Sequence, residues 1–387
     1  MKLGCCARFW MLLLGMLVST SVFALQVEEF DASKVINEIE EAPNYEDELD
    51  RLEDYLEEKD KYYAKGKVSL AIEDFILKTV KVNQATIFTE DAFKDAYKDF
   101  VGQKVIFKDL KTIAKRITMM YQEAGYMLSF AIIPTQPVVD GHLDILVIEG
   151  IIDDVMMIDD TPKEYSKLVF TYAKELVKQR PMTKKAYTSF LIKSNKLPGI
   201  TVKPNLVPSP DTVGASTLML KMDEKKVSAL VSRDNHVSRR FGPQKDTLYA
   251  ALNQVKYGFQ TAVSMVRNNV FHAKSLQAFS VTHKQFFGKY GDHFDFSVTR
   301  SITDPDLKNP NLRFLGTSTI HNFSYTHPFI TSFKESLELT TGLNFMQSTT
   351  YRFIGAGPKT INSQDRLRIF KIGLRYSCQA CNFGLKD

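Results

Sequence analysis

Along "ESLELTTGLNF" the side chains alternate without a break, Leu337, Leu339, Thr341, Leu343 and Phe345 against Ser336, Glu338, Thr340, Gly342 and Asn344. The same period of two returns in "HFDFSVTR", where Phe294, Phe296 and Val298 alternate with Asp295, Ser297 and Thr299. It returns again in "IFKIGLRY", with Phe370, Ile372, Leu374 and Tyr376 on one face and Ile369, Lys371, Gly373 and Arg375 on the other. A period of two belongs to a strand whose faces meet unlike surroundings. Weaker segments, "KVSALVSRDN", "TLYAALNQ", "QTAVSMVRN", "SLQAFSVTH" and "TSTIHNFSYTHPF", bring the total to about eight beyond Lys225. Their expected lengths, roughly 8 to 12 residues, match what a tilted strand needs to cross a bilayer.

The N-terminus decides what those strands face. Lys2 and Arg8 give a positive start, "FWMLLLGMLV" an apolar core, and Val22-Phe23-Ala24 a small-residue cleavage site, so residues 1–24 read as a secretory signal peptide. That core is shorter than the roughly 18 to 20 residues that span a bilayer. No later segment has the length and apolarity of a transmembrane helix. An exported chain of this kind is soluble or crosses a membrane as strands, because only helices and closed barrels satisfy their backbone in lipid. The alternation over 225–387 favours an antiparallel transmembrane β-barrel region, with a soluble β-sandwich as the other solution.

Residues 25–65 form an acidic N-terminal helix or linker. From Glu28 to Asp60 carboxylates outnumber Lys and Arg by about twelve, so the net charge of +5 leaves the rest of the mature chain distinctly basic. Leu49, Leu52 and Leu56, with Tyr45 and Tyr55, recur near helical spacing after Pro43, and the segment can bind the basic remainder. Cys378 and Cys381, the two cysteines beyond the signal peptide, can form one terminal disulfide, and no second pair completes a zinc site.

Between these parts the order of elements is strand, helix, helix, strand, strand, and it occurs twice. In 66–152, "KVSLAIEDFILKTVKV" reads as a strand and "TEDAFKDAYKDFVGQ" as a helix capped by Thr89, with Glu90 and Asp91 in its first turn. "FKDLKTIAKRITMMYQEAGY" follows as a second helix that buries Leu110, Ile113, Ala114, Ile117, Met120, Tyr121 and Ala124 and stops at Gly125. "MLSFAIIP" and "GHLDILVIEG" are strands joined by a turn at Pro134-Thr135-Gln136-Pro137. In 153–224, "DDVMMI" is a strand, "PKEYSKLVFTYAKELVKQ" and "TKKAYTSFLIKSNK" are helices with Pro162 and Pro181 near their starts, and "ITVKPNL" and "ASTLMLKM" are strands. Such α+β units offer sheet edges to extended chains.

"GYMLSFAIIPTQPVVDGHLDILVIEGIIDDV" resembles the end of a POTRA domain of two-partner secretion transporters, the haemolysin secretion/activation (TpsB) family. "LPGITVKPNLVPSPDTVGASTLMLKM" is similar to the end of that family's second POTRA domain, and "RDNHVSRRFG" to the start of its barrel. The resemblance implies tandem POTRA domains followed by an outer-membrane barrel. Against the family's roughly sixteen strands the chain supplies about half, and Arg-Gly, which marks the family's inward loop, is absent. The barrel region is therefore expected to be about half length. It would close as a small barrel, be completed by a second chain, or stand as a non-functional remnant.

By this resemblance the protein translocates a large exported partner, a TpsA-like polypeptide, across the Gram-negative outer membrane. Periplasmic POTRA domains would capture the unfolded substrate. Outer-membrane lipid and the barrel assembly machinery are the further partners implied, and the acidic segment would plug the barrel. The substrate-binding residues expected are Tyr126, Leu128 and Phe130, on the first module's exposed edge. The competing class is a periplasmic chaperone or adaptor tethered by its half barrel. No enzyme is expected. His142, His236, His272, His283, His293, His321 and His327 are scattered, without an H-E-x-x-H pair or a serine nucleophile elbow. No cofactor and no metal are called for, and Asp153, Asp154, Asp159 and Asp160 read as solvated loop carboxylates. Export and strand patterning argue against nucleic acid.

Overall fold

The computed structural model describes residues 74–134, 136–158, 167–209, 212–235, 244–268, 276–307, 309 and 311–378. The expected signal peptide, the acidic segment, Pro162, Asp159, Asp160 and Cys381 lie outside the described residues. All described residues belong to one compact unit, Glu40–Asp387.

The first module runs β1 (Phe75–Ile76), β2 (Thr79–Asn83), α1 (Lys94–Tyr97), β3 (Lys104–Val105), α2 (Phe107–Glu123), β4 (Phe130–Ile132) and β5 (His142–Ile148). Its main sheet has the order β2-β5-β4, with β2 parallel and β4 antiparallel to β5. The expected first strand is broken, because Leu77 N–H donates to Gln103 O and Lys78 N–H to Gly141 O, splitting it into β1 and β2. The expected first helix is one α-turn flanked by 3-10 turns, Glu90–Phe93 and Lys98–Phe100. Thr89 stands extended before it but its side chain makes no capping bond; Ala92 N–H bonds to the Thr89 carbonyl instead.

Helix α2 buries Leu110, Ile113, Ala114, Ile117 and Tyr121 as its spacing predicts, and also Thr118. Met120 is half-buried and Ala124, at the C-cap, is exposed. Gly125 has φ +91° and closes the helix: its N–H donates to Gln122 O and Tyr126 N–H to Tyr121 O, the paired bonds of a Schellman motif. The reversal into β5 occurs at Asp140 and Gly141, with φ +53° and +73°, rather than at the prolines. Gln136 is instead fixed beside β5, its amide donating to Asp144 O and accepting from Asp144 N–H.

The second module repeats the plan with β6 (Ile151–Met157), α3 (Lys167–Val177), α4 (Lys184–Asn195), β7 (Ile200–Pro208) and β8 (Ala215–Glu224). Its order is β6-β8-β7, with β6 parallel to β8, the same topology as the first module. Thr183 caps α4, its hydroxyl oxygen accepting from Ala186 N–H at 3.2 Å. Asp153 and Asp154 lie in β6, not in a loop, and Asp153 accepts from the Thr217 hydroxyl.

Eight antiparallel strands follow: β9 (Val227–Asp234), β10 (Lys245–Gln254), β11 (Phe259–Asn268), β12 (Leu276–Phe287), β13 (Asp292–Thr303), β14 (Leu312–Thr331), β15 (Glu335–Ile354) and β16 (Thr360–Cys378). Each pairs with its sequence neighbour, and β9 and β16 are the two edges. The sheet is open, so closure as a small barrel is not what these strands do. Strands β14, β15 and β16 have 20, 20 and 19 residues, longer than expected. Beyond Phe345 the alternation on β15 gives way to Gln347, Ser348, Thr349 and Thr350, so the apolar signal stops before the strand does.

Register sorts the faces. One row, Val227, Leu252, Thr261, His283, Phe296, Phe323, Leu343 and Phe370, crosses all eight strands on the outward face. Its neighbour on the inward face is Ser228, Ala251, Ala262, Thr282, Ser297, Asn322, Asn344 and Ile369. Apolar residues are exposed on the outward side, Leu252, Phe323, Leu343 and Phe370 among them, while the inward side is mainly small and polar. That is the pattern of a membrane strand. Cys378, at the end of β16, is disulfide-bonded.

Candidate polypeptide-binding edge and its supports

Strand β4 ends the first module's sheet beside α2. Ala131 N–H bonds not to β5 but to the Thr118 hydroxyl oxygen at 3.0 Å, and that hydroxyl donates to Ala114 O at 3.0 Å. One side chain thus ties the strand edge to the helix. The apolar stripe of α2 gave no sign of this role, although a threonine among buried apolar positions was a clue.

At the end of β5, Glu149 braces the module. Its carboxylate accepts from Thr86 N–H at 2.7 Å, the Thr86 hydroxyl at 2.5 Å, Ile87 N–H at 3.1 Å and the Tyr121 hydroxyl at 3.0 Å. Burial pushes the Glu149 pKa up, but these bonds outweigh it and hold the carboxyl below its ordinary value. The Tyr121 hydroxyl is driven up, by burial first and by the carboxylate it faces second. The sequence offered only an acid before a glycine at a strand end, too common a pattern to mark a brace.

The three expected substrate residues do not form one exposed face. Tyr126 is half-buried and meets Tyr121 edge-on in the first module's core. Leu128, 1% exposed, packs with Met127 in the second module's core, against Ile152, Val169, Tyr172 and their neighbours. Phe130, in β4, is 6% exposed. "YMLSF" is therefore the joint between modules as well as the approach to the edge. The joint is tight: Met182 N–H donates to Gly150 O at 2.9 Å and Lys184 N–H to Gly125 O at 2.7 Å. A Cβ at Gly150 would lie 2.2 Å from Leu128 O.

The second module is seated on the large sheet in turn. Lys225 N–H donates to Gly199 O, Asn253 Nδ2 to Lys225 O, and Gln260 Nε2 to Asn253 Oδ1. Val255 and Phe286, from turn and strand ends of the sheet, are buried in the second module's core. Lys196 Nζ reaches Glu338 Oε1 at 2.6 Å, and Lys289 Nζ lies 3.7 Å from Glu175. Burial pushes the nearby Lys193 ammonium pKa down, while Glu175 and Asp292 partly oppose that. Among the described residues no group of three or more His, Cys, Asp or Glu side chains is placed to hold a metal ion, and no helix is long and apolar enough to cross a membrane.

The module with this edge matches a family model, that of the POTRA domain, ShlB-type, over residues 75–150. Residues 75–150 are a POTRA domain of the ShlB type. Curated relatives are the heme/hemopexin transporter proteins HuxB of two Haemophilus influenzae strains. One is 22% identical over 250 residues, covering 58% of this chain and 43% of the relative. The other is 23% identical over 269 residues, covering 62% and 46%. The chain thus spans less than half the length of the curated relatives it matches. Among solved structures, CdiB from Escherichia coli superposes with a TM-score of 0.60 at 19% identity, covering 88% of this chain and 66% of that one. CdiB from Acinetobacter baumannii gives 0.52 at 13% identity, covering 89% and 69%. These likenesses agree with the fold, a POTRA domain ahead of a large antiparallel sheet.

Proposed function

We propose that this chain belongs to an outer-membrane system that passes a large exported, TpsA-like polypeptide by two-partner secretion. The observation that carries the reading is one of order. A ShlB-type POTRA domain and a second module of the same topology precede a sheet with an apolar outward face and a polar inward face. In this reading both modules are periplasmic POTRA domains, and the sheet is part of a membrane wall whose polar side lines the path. Two open edges in lipid would leave backbone groups unsatisfied, so further strands, from a second chain or elsewhere, complete the wall at β9 and β16.

Capture takes place at the β4–α2 edge of the POTRA domain, by strand addition. Leu128 and Phe130 hold the edge in position from inside the modules, and Tyr126 is the one of the three with surface to offer. A photo-crosslinking residue at Ala131, in cells exporting the partner, should trap the partner's N-terminal secretion segment. The same probe at Lys81, on β2 at the opposite end of the sheet, should not. Equal trapping at both sites would reject edge capture. Unchanged export after deletion of residues 75–150 would reject the transport reading.

A further inference from the structure

On the side away from the modules, the apolar band on the sheet's outward face meets a row of arginines, beyond which Ile302 is still exposed. Arg300 shares the face of Phe294, Phe296 and Val298, and Arg366 and Arg368 share that of Phe370, Ile372 and Leu374; all three arginines are exposed. Register brings them to one level: Phe279 faces Arg300, Arg300 faces Thr319, Thr319 faces Gln347, and Gln347 faces Arg366. Arg368 faces Phe345 one step nearer the modules. Arg267 lies two residues beyond Met265, the partner of Phe279, and its Nε is buried without a hydrogen-bond partner. None of these four is in an ion pair among the described residues, whereas Arg233 and Arg313 on the same side are held by Asp246 and Asp304.

The height of the row fits a membrane boundary. Tyr376 to Arg368 is about 26 Å along a strand at about 3.3 Å per residue. At a strand tilt near 40° that is roughly 20 Å upright, close to the ~25 Å apolar band of a membrane barrel. The choice of cation is also one-sided. The lysines of these strands, Lys245, Lys284 and Lys371, pair into inward-facing rows, while the outward cations are arginines. A lysine would serve hydration equally well. An arginine presents a planar fork that holds two phosphate oxygens at once. Arg366 and Arg368 stand about 7 Å apart on one strand face, so two forks address one multiply charged headgroup.

We propose that this row binds the phosphate monoesters of lipid headgroups in the leaflet distal to the modules, an inference that rests on the membrane-spanning reading of the sheet. The full chain, at a protein density that lets a second copy complete its wall at β9 and β16, would be reconstituted in phosphatidylcholine vesicles, without addition or with one-tenth phosphatidylglycerol or one-tenth bisphosphorylated disaccharide lipid (lipid A). Flotation and protease protection report insertion; native mass spectrometry after mild extraction reports retained lipid. Wild type should insert in all three and retain lipid A preferentially. The triple variant R300Q/R366Q/R368Q should insert equally in phosphatidylcholine and retain lipid A about tenfold less. A triple lysine variant should fall between, and Lys108→Gln with Lys111→Gln on α2 should change nothing.

Insertion with no lipid A preference, or equal retention by the glutamine variant, overturns the proposal and leaves the membrane reading intact. Equal retention of phosphatidylglycerol overturns the monoester assignment. Failure of wild type to insert in any vesicle overturns the membrane reading, and the proposal with it. Should the triple variant fail to accumulate, Arg368→Gln alone is read the same way, with about a threefold loss expected.

Discussion

Lys196 Nζ stands 2.6 Å from Glu338 Oε1, and that contact joins helix α4 of the second module to strand β15 of the large sheet. The carboxylate is 19% exposed and the ammonium 44%, so water screens the pair only in part. Lys196→Glu sets two carboxylates face to face and should raise the rate of proteolysis at the module–sheet junction. Lys196→Glu combined with Glu338→Lys should recover most of the loss. A double-mutant cycle on those rates should show a coupling of about 0.5–2 kcal/mol; strict additivity would mean that this ion pair does not help to seat the module.

Leu128 belongs by sequence to the POTRA domain and by packing to the second core. Leu128→Ala should cost about 2–5 kcal/mol, as deletion of a buried leucine does. Protease sensitivity should rise in both modules together. Sensitivity confined to residues 74–150 would contradict shared packing.

For Glu149 the pH dependence has a definite sign. Its folded-state pKa is lowered, so its stabilisation is complete above the unfolded value of about 4.3 and is lost as pH falls through the folded-state value. Glu149→Gln should destabilise the POTRA domain by about 1–2 kcal/mol at neutral pH. In acid-unfolding curves the variant and wild type should converge as the pH falls through the lowered folded-state value of Glu149.

The outward face can be probed by depth. Ile372→Arg puts a charge in the middle of the apolar band and should cost about 2–4 kcal/mol in lipid, whereas Gln347→Arg, at the row of Arg300 and Arg366, should cost about 0–1 kcal/mol. The fraction recovered in carbonate-washed membranes would report the difference. Equal losses would argue that this face does not meet hydrocarbon.

Much of this fold is legible in residue order. Period-two alternation located all eight strands of the sheet, and the faces expected on β13, β15 and β16 are those observed. The repeated strand-helix-helix-strand-strand plan is likewise present in both modules. Local patterns failed where distant backbone intervened. Gln103 and Gly141 cut the first strand, and no reading of "EDFILKTVKV" foresees them. The exposure expected along the edge differs for a related reason: Leu128 looked like an edge residue because alternation says nothing about which core a side chain enters. Thr118 and Glu149 act through hydrogen bonds to residues far along the chain, to which periodicity is blind.

Thr118 sets the terms on which the edge of β4 meets other chains. An edge strand with a bare N–H invites any passing strand, including that of a second copy. Here the Ala131 N–H is already occupied, by a hydroxyl that keeps a second bond to Ala114 O. An arriving carbonyl can displace it by a small rotation about one side-chain bond, and departure lets the hydroxyl return. The edge is guarded by a bond that exchange can replace, which is what the proposed capture of a long polypeptide would require.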